Sequence, residues 1–306
     1  MPCFGAFSGN SILLYVGYYR LFLGCGNGSK TATQGEVHQK TCAKLNICIL
    51  FLAIAWPVTA DVAPPSSVYR NGFSMTIRLG RELSDALPPE LREQLDPQVV
   101  TLQMQDSPLV APLTVTEDNH VLRQVSLSAG FIDLINHIAH AKAIDRVQPG
   151  YFLQYVRIFS HVSMSDAAAA PPNIVEARYW TEDIMNDQIG YFNQMISLVM
   201  AIHLSHHYLG HCVKYSTQLG LASDKPAAIN SLLTPDEWAG SVKAGTINAL
   251  NCALSTEGLR TLFEAIDEMP RRPEWAAYII PQDTDIKGLN KQLQRYEEDF
   301  FHGRLK

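Results

Sequence analysis

Residues 201–211 read Ala-Ile-His-Leu-Ser-His-His-Tyr-Leu-Gly-His, placing His203, His206, His207 and His211, four of the chain's ten histidines, in one short run. The surrounding stretch, Glu182 to Cys212, predicts a long apolar helix, or two in sequence broken near Gly190. Side chains four apart share a helix face, so His203, His207 and His211 are expected to form a stripe, with His206 beside His203. Two imidazoles at that spacing can aim lone pairs at one point about 2 Å from each, as helical zinc sites do. A single helical histidine is ordinarily a packed or surface residue. Several imidazoles buried together each need a partner or suffer desolvation, which favours a transition-metal ion, zinc first, over plain packing.

Working outward, helices are expected from Ser128 to Ile144, from Gly150 to Ile158, from Pro235 to about Cys252, and from Glu257 to Met269 after a Ser255 cap. Thr234 suits the N-cap of the third, Pro235 its first position, and Asp236 and Glu237 the positive end of its dipole. A charged tail is expected to be helical from Leu289 to Phe301. Ala167 to Pro172 reads as a small-residue linker. Val99 to Met104 and Val121 to Leu127 have high β-propensity and imply at least one strand pair, separated by the Pro108/Pro112 segment and the turn Glu117-Asp118-Asn119. Residues 61–98, with Pro64-Pro65, Pro88-Pro89 and Asp96-Pro97, read as an extended lead-in with a short helix near Glu90 to Leu95. The fold class expected is α+β, helix-dominated, with a small β-sheet preceding the helices and the main domain spanning 99–306.

The bulk properties are those of a globular chain: 306 residues, 47% hydrophobic, 18% charged, net charge −6. An acidic balance argues against general nucleic-acid binding, which needs a basic face. Residues 40–60 have the layout of a secretory signal peptide: Lys40 and Lys44, an apolar run from Ile47 to Trp56, and Val58-Thr59-Ala60 with cleavage expected after Ala60. That run falls short of the about 20 apolar residues of a membrane span. The protein is therefore expected to be exported, periplasmic or extracellular; left uncleaved, the segment would associate it with a membrane. Residues 1–39 precede the signal awkwardly and are expected to be a poorly ordered extension, translated upstream of the true start. Cleavage would leave only Cys212 and Cys252 of the six cysteines. They could form one disulfide or pack as two small apolar side chains.

His207-Tyr208-Leu209-Gly210-His211 resembles the HELGH form of the HExxH zinc-peptidase motif, with Tyr208 where the family has glutamate. Over roughly residues 99–270 the chain resembles the minigluzincins, metallopeptidases of the CAAX-prenyl-protease type. These have a strand pair leading into a segment like Ser128-Ala-Gly-Phe-Ile-Asp-Leu-Ile and a downstream ligand glutamate at a helix start. The resemblance implies a zincin-like fold, a Zn2+ cofactor held by His207, His211 and Glu237, with His203 as a further candidate, and a peptide or protein as substrate or partner. In the family motif the glutamate moves a proton from zinc-bound water to the leaving amine. Tyr208, a phenol of ordinary pKa about 10, is a poor base, so hydrolysis is expected to be impaired. His206, Glu182 and Asp183 are the candidate replacement bases.

Two other readings use the same residues. A non-catalytic binding or scaffold protein would keep the fold without the chemistry. His203-Leu-Ser-His206-His207 also fits the HxxHH box of di-iron membrane oxidoreductases, which need several such boxes and long apolar spans absent from residues 61–306. His137 and His140, three apart, could form a second metal pair but read better as partly exposed helix residues. Glu176, Arg178, Trp180, Glu182 and Asp183 could line a cleft or form a solvated loop. No Gly-rich phosphate loop or GxSxG elbow occurs in residues 61–306.

Overall fold

The computed structural model describes residues 65–95, 100–105, 107–117, 120–158, 174–219 and 227–305. The linker expected at Ala167 to Pro172 and the segments 1–39 and 40–60 lie outside the described residues. The fold is α+β and helix-dominated, with a three-stranded mixed sheet early in the chain.

The chain enters through helix α1 (Pro65–Asp85), followed by the short α2 (Pro89–Arg92). The extended lead-in expected over 61–98 is thus corrected to a long helix. Its inner stripe, Gly72, Thr76, Leu79 and Leu83, is buried at helical spacing, but Gly and Thr hide the apolar period. Gly72 is needed there: a Cβ would come within 2.8 Å of the Ile132 side chain.

Strands β1 (Val100–Gln103), β2 (Val110–Glu117) and β3 (His120–Ser128) form a sheet in the order β1-β3-β2. β1 runs parallel to β3 and β2 antiparallel to it, with Pro112 opposite Val125. The Pro108/Pro112 segment, expected only to separate two strands, is therefore partly a strand itself. Proline is tolerated because β2 is an edge strand, where a missing N–H costs no ladder bond on the open side.

Ser128 ends β3 and caps α3 (Ala129–Asp145), its hydroxyl accepting from the Phe131 amide at 3.0 Å. α4 (Tyr151–Ile158) follows, its Phe152 amide donating to Asp145 at 3.0 Å. The core is organised around α5 (Glu182–Tyr208), which passes through Gly190 without a break. Residues 195–207 are buried without interruption, as for a helix enclosed on every side. α1, α3, the sheet, α7 (Pro235–Asn251) and α8 (Glu257–Glu268) pack around it. Two glycines permit the closest approaches: a Cβ on Gly245 would meet the Ile202 backbone at 2.6 Å, and one on Gly258 the Gln194 side chain at 2.4 Å. The tail helix α9 (Ile286–Phe301) packs on α7 and α8.

α5 stops at Tyr208 rather than running on to Cys212. Gly210 adopts φ +80°, a left-handed conformation that glycine accepts without penalty, and the chain restarts as α6 (His211–Lys214). Cys212 and Cys252 are both free: Cys212 packs with Leu219 and Ile229, and Cys252 lies 3.4 Å from the Glu82 carbonyl. Among the described residues no helix is long and apolar enough to cross a membrane.

Candidate functional site

The four histidines gather at the C-terminal end of α5, all at most 6% exposed. They do not form the stripe expected of one straight helix. Ending the helix at Tyr208 takes His211 off its face, so His203, His207 and His211 each turn to different surroundings.

His203 Nε2 lies 3.0 Å from the Tyr278 carbonyl, which fixes the proton on that nitrogen and leaves Nδ1 as a buried lone pair without a partner. His207 does the same toward the sheet: its Nε2 donates to the Gln124 carbonyl at 2.9 Å, and Nδ1 has no partner. Burial holds both imidazoles down at about 4, so both are neutral at physiological pH.

His206, fully buried, faces His211 instead. Their Nδ1 atoms are 3.2 Å apart and their ring centres 5.4 Å. Ser241 Oγ, on α7, sits 3.1 Å from His206 Nδ1 and 3.3 Å from His211 Nδ1 while donating to the Glu237 carbonyl at 3.0 Å. Burial pushes His206 well below the ordinary histidine range and lowers His211, against which the Glu237 charge pulls upward.

Glu237 does not meet His207. It closes a capping box with Thr234 at the start of α7 and binds Lys214 at 2.7 Å and Tyr215 at 2.8 Å. The Lys214 contact and the Thr234 amide hold its carboxyl down at about 2. The set His207, His211 and Glu237 thus does not fit a single metal ion: one ring serves the sheet, another pairs with His206, and the carboxylate serves the cap. Among the described residues no three His, Cys, Asp or Glu side chains converge on a possible metal position.

The candidate bases fare no better. Tyr208 is half-buried against the main core, and burial raises its phenol further above the ordinary value. Glu182 and Asp183 are exposed at the opposite end of α5, about 35 Å away at 1.5 Å per residue. His206 is neutral and enclosed.

His137 and His140 turn to separate partners and form no pair. His137 Nδ1 meets the Tyr155 hydroxyl at 2.9 Å, with Asp133 at 3.7 Å from Nε2. His140, buried rather than partly exposed as expected, reaches the Tyr179 carbonyl at 2.7 Å and packs edge-on to Trp180. Glu176 and Arg178 pair with each other in solvent, and Trp180 donates to the Ile174 carbonyl.

Two site residues escape a reading of the sequence. Ser241 carries a faint signal, lying one helical turn after Glu237 on the same face. Asn230, in a one-turn helix at 229–231, carries none. No family model matches the chain, and no curated protein or solved structure matches it either.

Proposed function

We propose that this is an exported, metallopeptidase-like protein that binds a transition metal, zinc first, and that does not hydrolyse peptides by the HExxH route. Its role is then that of a binding protein acting on a peptide or protein partner. The observation that carries the reading is the His207 ring, committed to the Gln124 carbonyl, next to a tyrosine where a base would be required. A deeply buried cluster of four imidazoles supports metal binding, because His206 and His211 bring two ring nitrogens within 3.2 Å of each other away from solvent. Export rests on the signal-like pattern of residues 40–60 alone.

The test combines elemental analysis of the secreted, purified protein with a protease assay on unfolded casein, run with added zinc and with chelator. Near-stoichiometric metal without chelator-sensitive cleavage is the expected result. Sustained cleavage abolished by chelator would overturn the non-catalytic reading, and a metal-free protein that stays metal-free on incubation with zinc would overturn the metal.

A further inference from the structure

We propose that a divalent transition-metal ion is held by His206 Nδ1, His211 Nδ1 and the Ser241 hydroxyl, rather than by the HExxH pair. The inference rests on the metal-binding reading above and names its donor set.

The three atoms form a nearly equilateral triangle with edges of 3.1, 3.2 and 3.3 Å. Donors about 2.0–2.1 Å from a tetrahedral zinc lie about 3.3–3.4 Å from one another, so the triangle already has the dimensions of three tetrahedral vertices. The same spacings also suit hydrogen bonds among the three groups. Ser241 has one proton, for which the Glu237 carbonyl at 3.0 Å is one acceptor. Neither His206 Nε2 nor Asn230 Oδ1 has a hydrogen-bond partner. Asn230 is itself oriented, its amide nitrogen donating to the Tyr278 carbonyl at 3.0 Å. With its proton on Nε2, His206 presents a lone pair at Nδ1. That lone pair faces His211 Nδ1 and the Ser241 oxygen.

A cation inside the triangle would gather the lone pairs of all three atoms on one charge. Asn230, whose side chain acts on His206, would then take the outer-shell part usual for metal-bound histidine, an oxygen toward which the second ring nitrogen donates. Glu237, close enough to act electrostatically on His211, supplies negative charge without being a ligand. Two imidazoles and a neutral oxygen select borderline cations such as Zn2+, Co2+ or Ni2+ over Mg2+ and Ca2+, which take carboxylates and water. His211 is 6% exposed and adjoins the half-buried Gly210, so of the two imidazoles it lies nearer the surface.

The test is titration of metal-free full-length protein with Co2+, read by visible absorbance. One equivalent with the bands of low coordination number is expected. His206→Gln and His211→Gln should each lose more affinity than the roughly tenfold to hundredfold expected for Asn230→Ala, while His207→Gln binds as the parent does. Circular dichroism identifies any variant that fails to fold. Independently of every variant, added Zn2+ should shift the His206 and His211 Nδ1 resonances of the unaltered protein and leave those of His203 and His207 in place. Cobalt binding that survives His206→Gln but not His207→Gln overturns this donor set and keeps the metal-binding reading. No cobalt binding and no shift overturns both.

Discussion

Gly245 on α7 lies directly against the backbone of Ile202 on α5, so close that a Cβ would stand 2.6 Å from the Ile202 nitrogen. Neither backbone can give way cheaply, since α5 is enclosed by other elements at that level. Gly245→Ala should therefore destabilise by about 1–3 kcal/mol, the range of overpacked cores. Gly240, in the same helix with nothing within 4 Å of the added atom, gives the opposite sign: Gly240→Ala should stabilise by up to about 1 kcal/mol. Urea unfolding of both variants checks the pair, and equal shifts would contradict the packing argument.

The role assigned to Glu237 separates a cap from a ligand. Thr234→Ala removes the hydroxyl that accepts the Glu237 amide at 3.3 Å and should cost about 1 kcal/mol. Glu237→Gln can still close the box through its amide oxygen, so its thermal midpoint should fall less than that of Thr234→Ala. Cobalt binding by Glu237→Gln should weaken without vanishing; complete loss would return the carboxylate to the first coordination sphere.

Acid should weaken the fold through all its buried histidines, among them His137 and His140, which lie away from the histidine cluster of α5. Burial lowers His137 from 6.5 to about 4 and lowers His140, while the Tyr179 carbonyl pulls the latter upward and His137 adds a smaller downward push. Asp133 and the Tyr155 hydroxyl are the groups facing His137. Both histidines are depressed in the folded state, so the unfolded chain binds protons first as pH falls. Their stabilisation is complete above about 6.5 and drains away down to about 4, with His137 alone contributing up to about 3 kcal/mol across that window. Denaturant midpoints measured from pH 7 to 4 should fall steeply, and His137→Gln should flatten the curve; an unchanged slope in that variant would contradict the assignment.

Placing a glutamate at position 208 should not confer hydrolysis. In Tyr208→Glu the His207 ring still donates to the Gln124 carbonyl, so a base would stand beside a histidine that faces the sheet. The expected outcome is no chelator-sensitive casein cleavage at any zinc concentration, together with lower stability from a carboxylate in a half-buried position. Robust cleavage would show that His207 leaves the sheet readily.

What the sequence revealed depended on how local the deciding interactions are. The Thr234-Pro235-Glu237 start of α7 was legible because capping uses residues three apart. α5 was legible because a helix enclosed by others is apolar on every face. α1 was not, since its buried stripe includes Thr76 and Gly72, the latter set against Ile132 and Phe192 far along the chain. The same limit applied to the site. The histidines were visible at once, but their partners were not: Gln124, Asn230 and Tyr278 come from separate elements and carry no pattern, and Ser241 carries only its spacing from Glu237.

The left-handed residue at position 210 acts as a phase shift in the chain. Along an unbroken helix, residues four apart differ by about 40° around the axis and residues five apart by about 140°. A turn of the wrong hand between Leu209 and His211 reverses the advantage, so the ring at the end meets its neighbour at distance five and misses the one at distance four. Identical letters thus spell a different site from the one their spacing advertises, and a single hydrogen in place of a side chain decides between them.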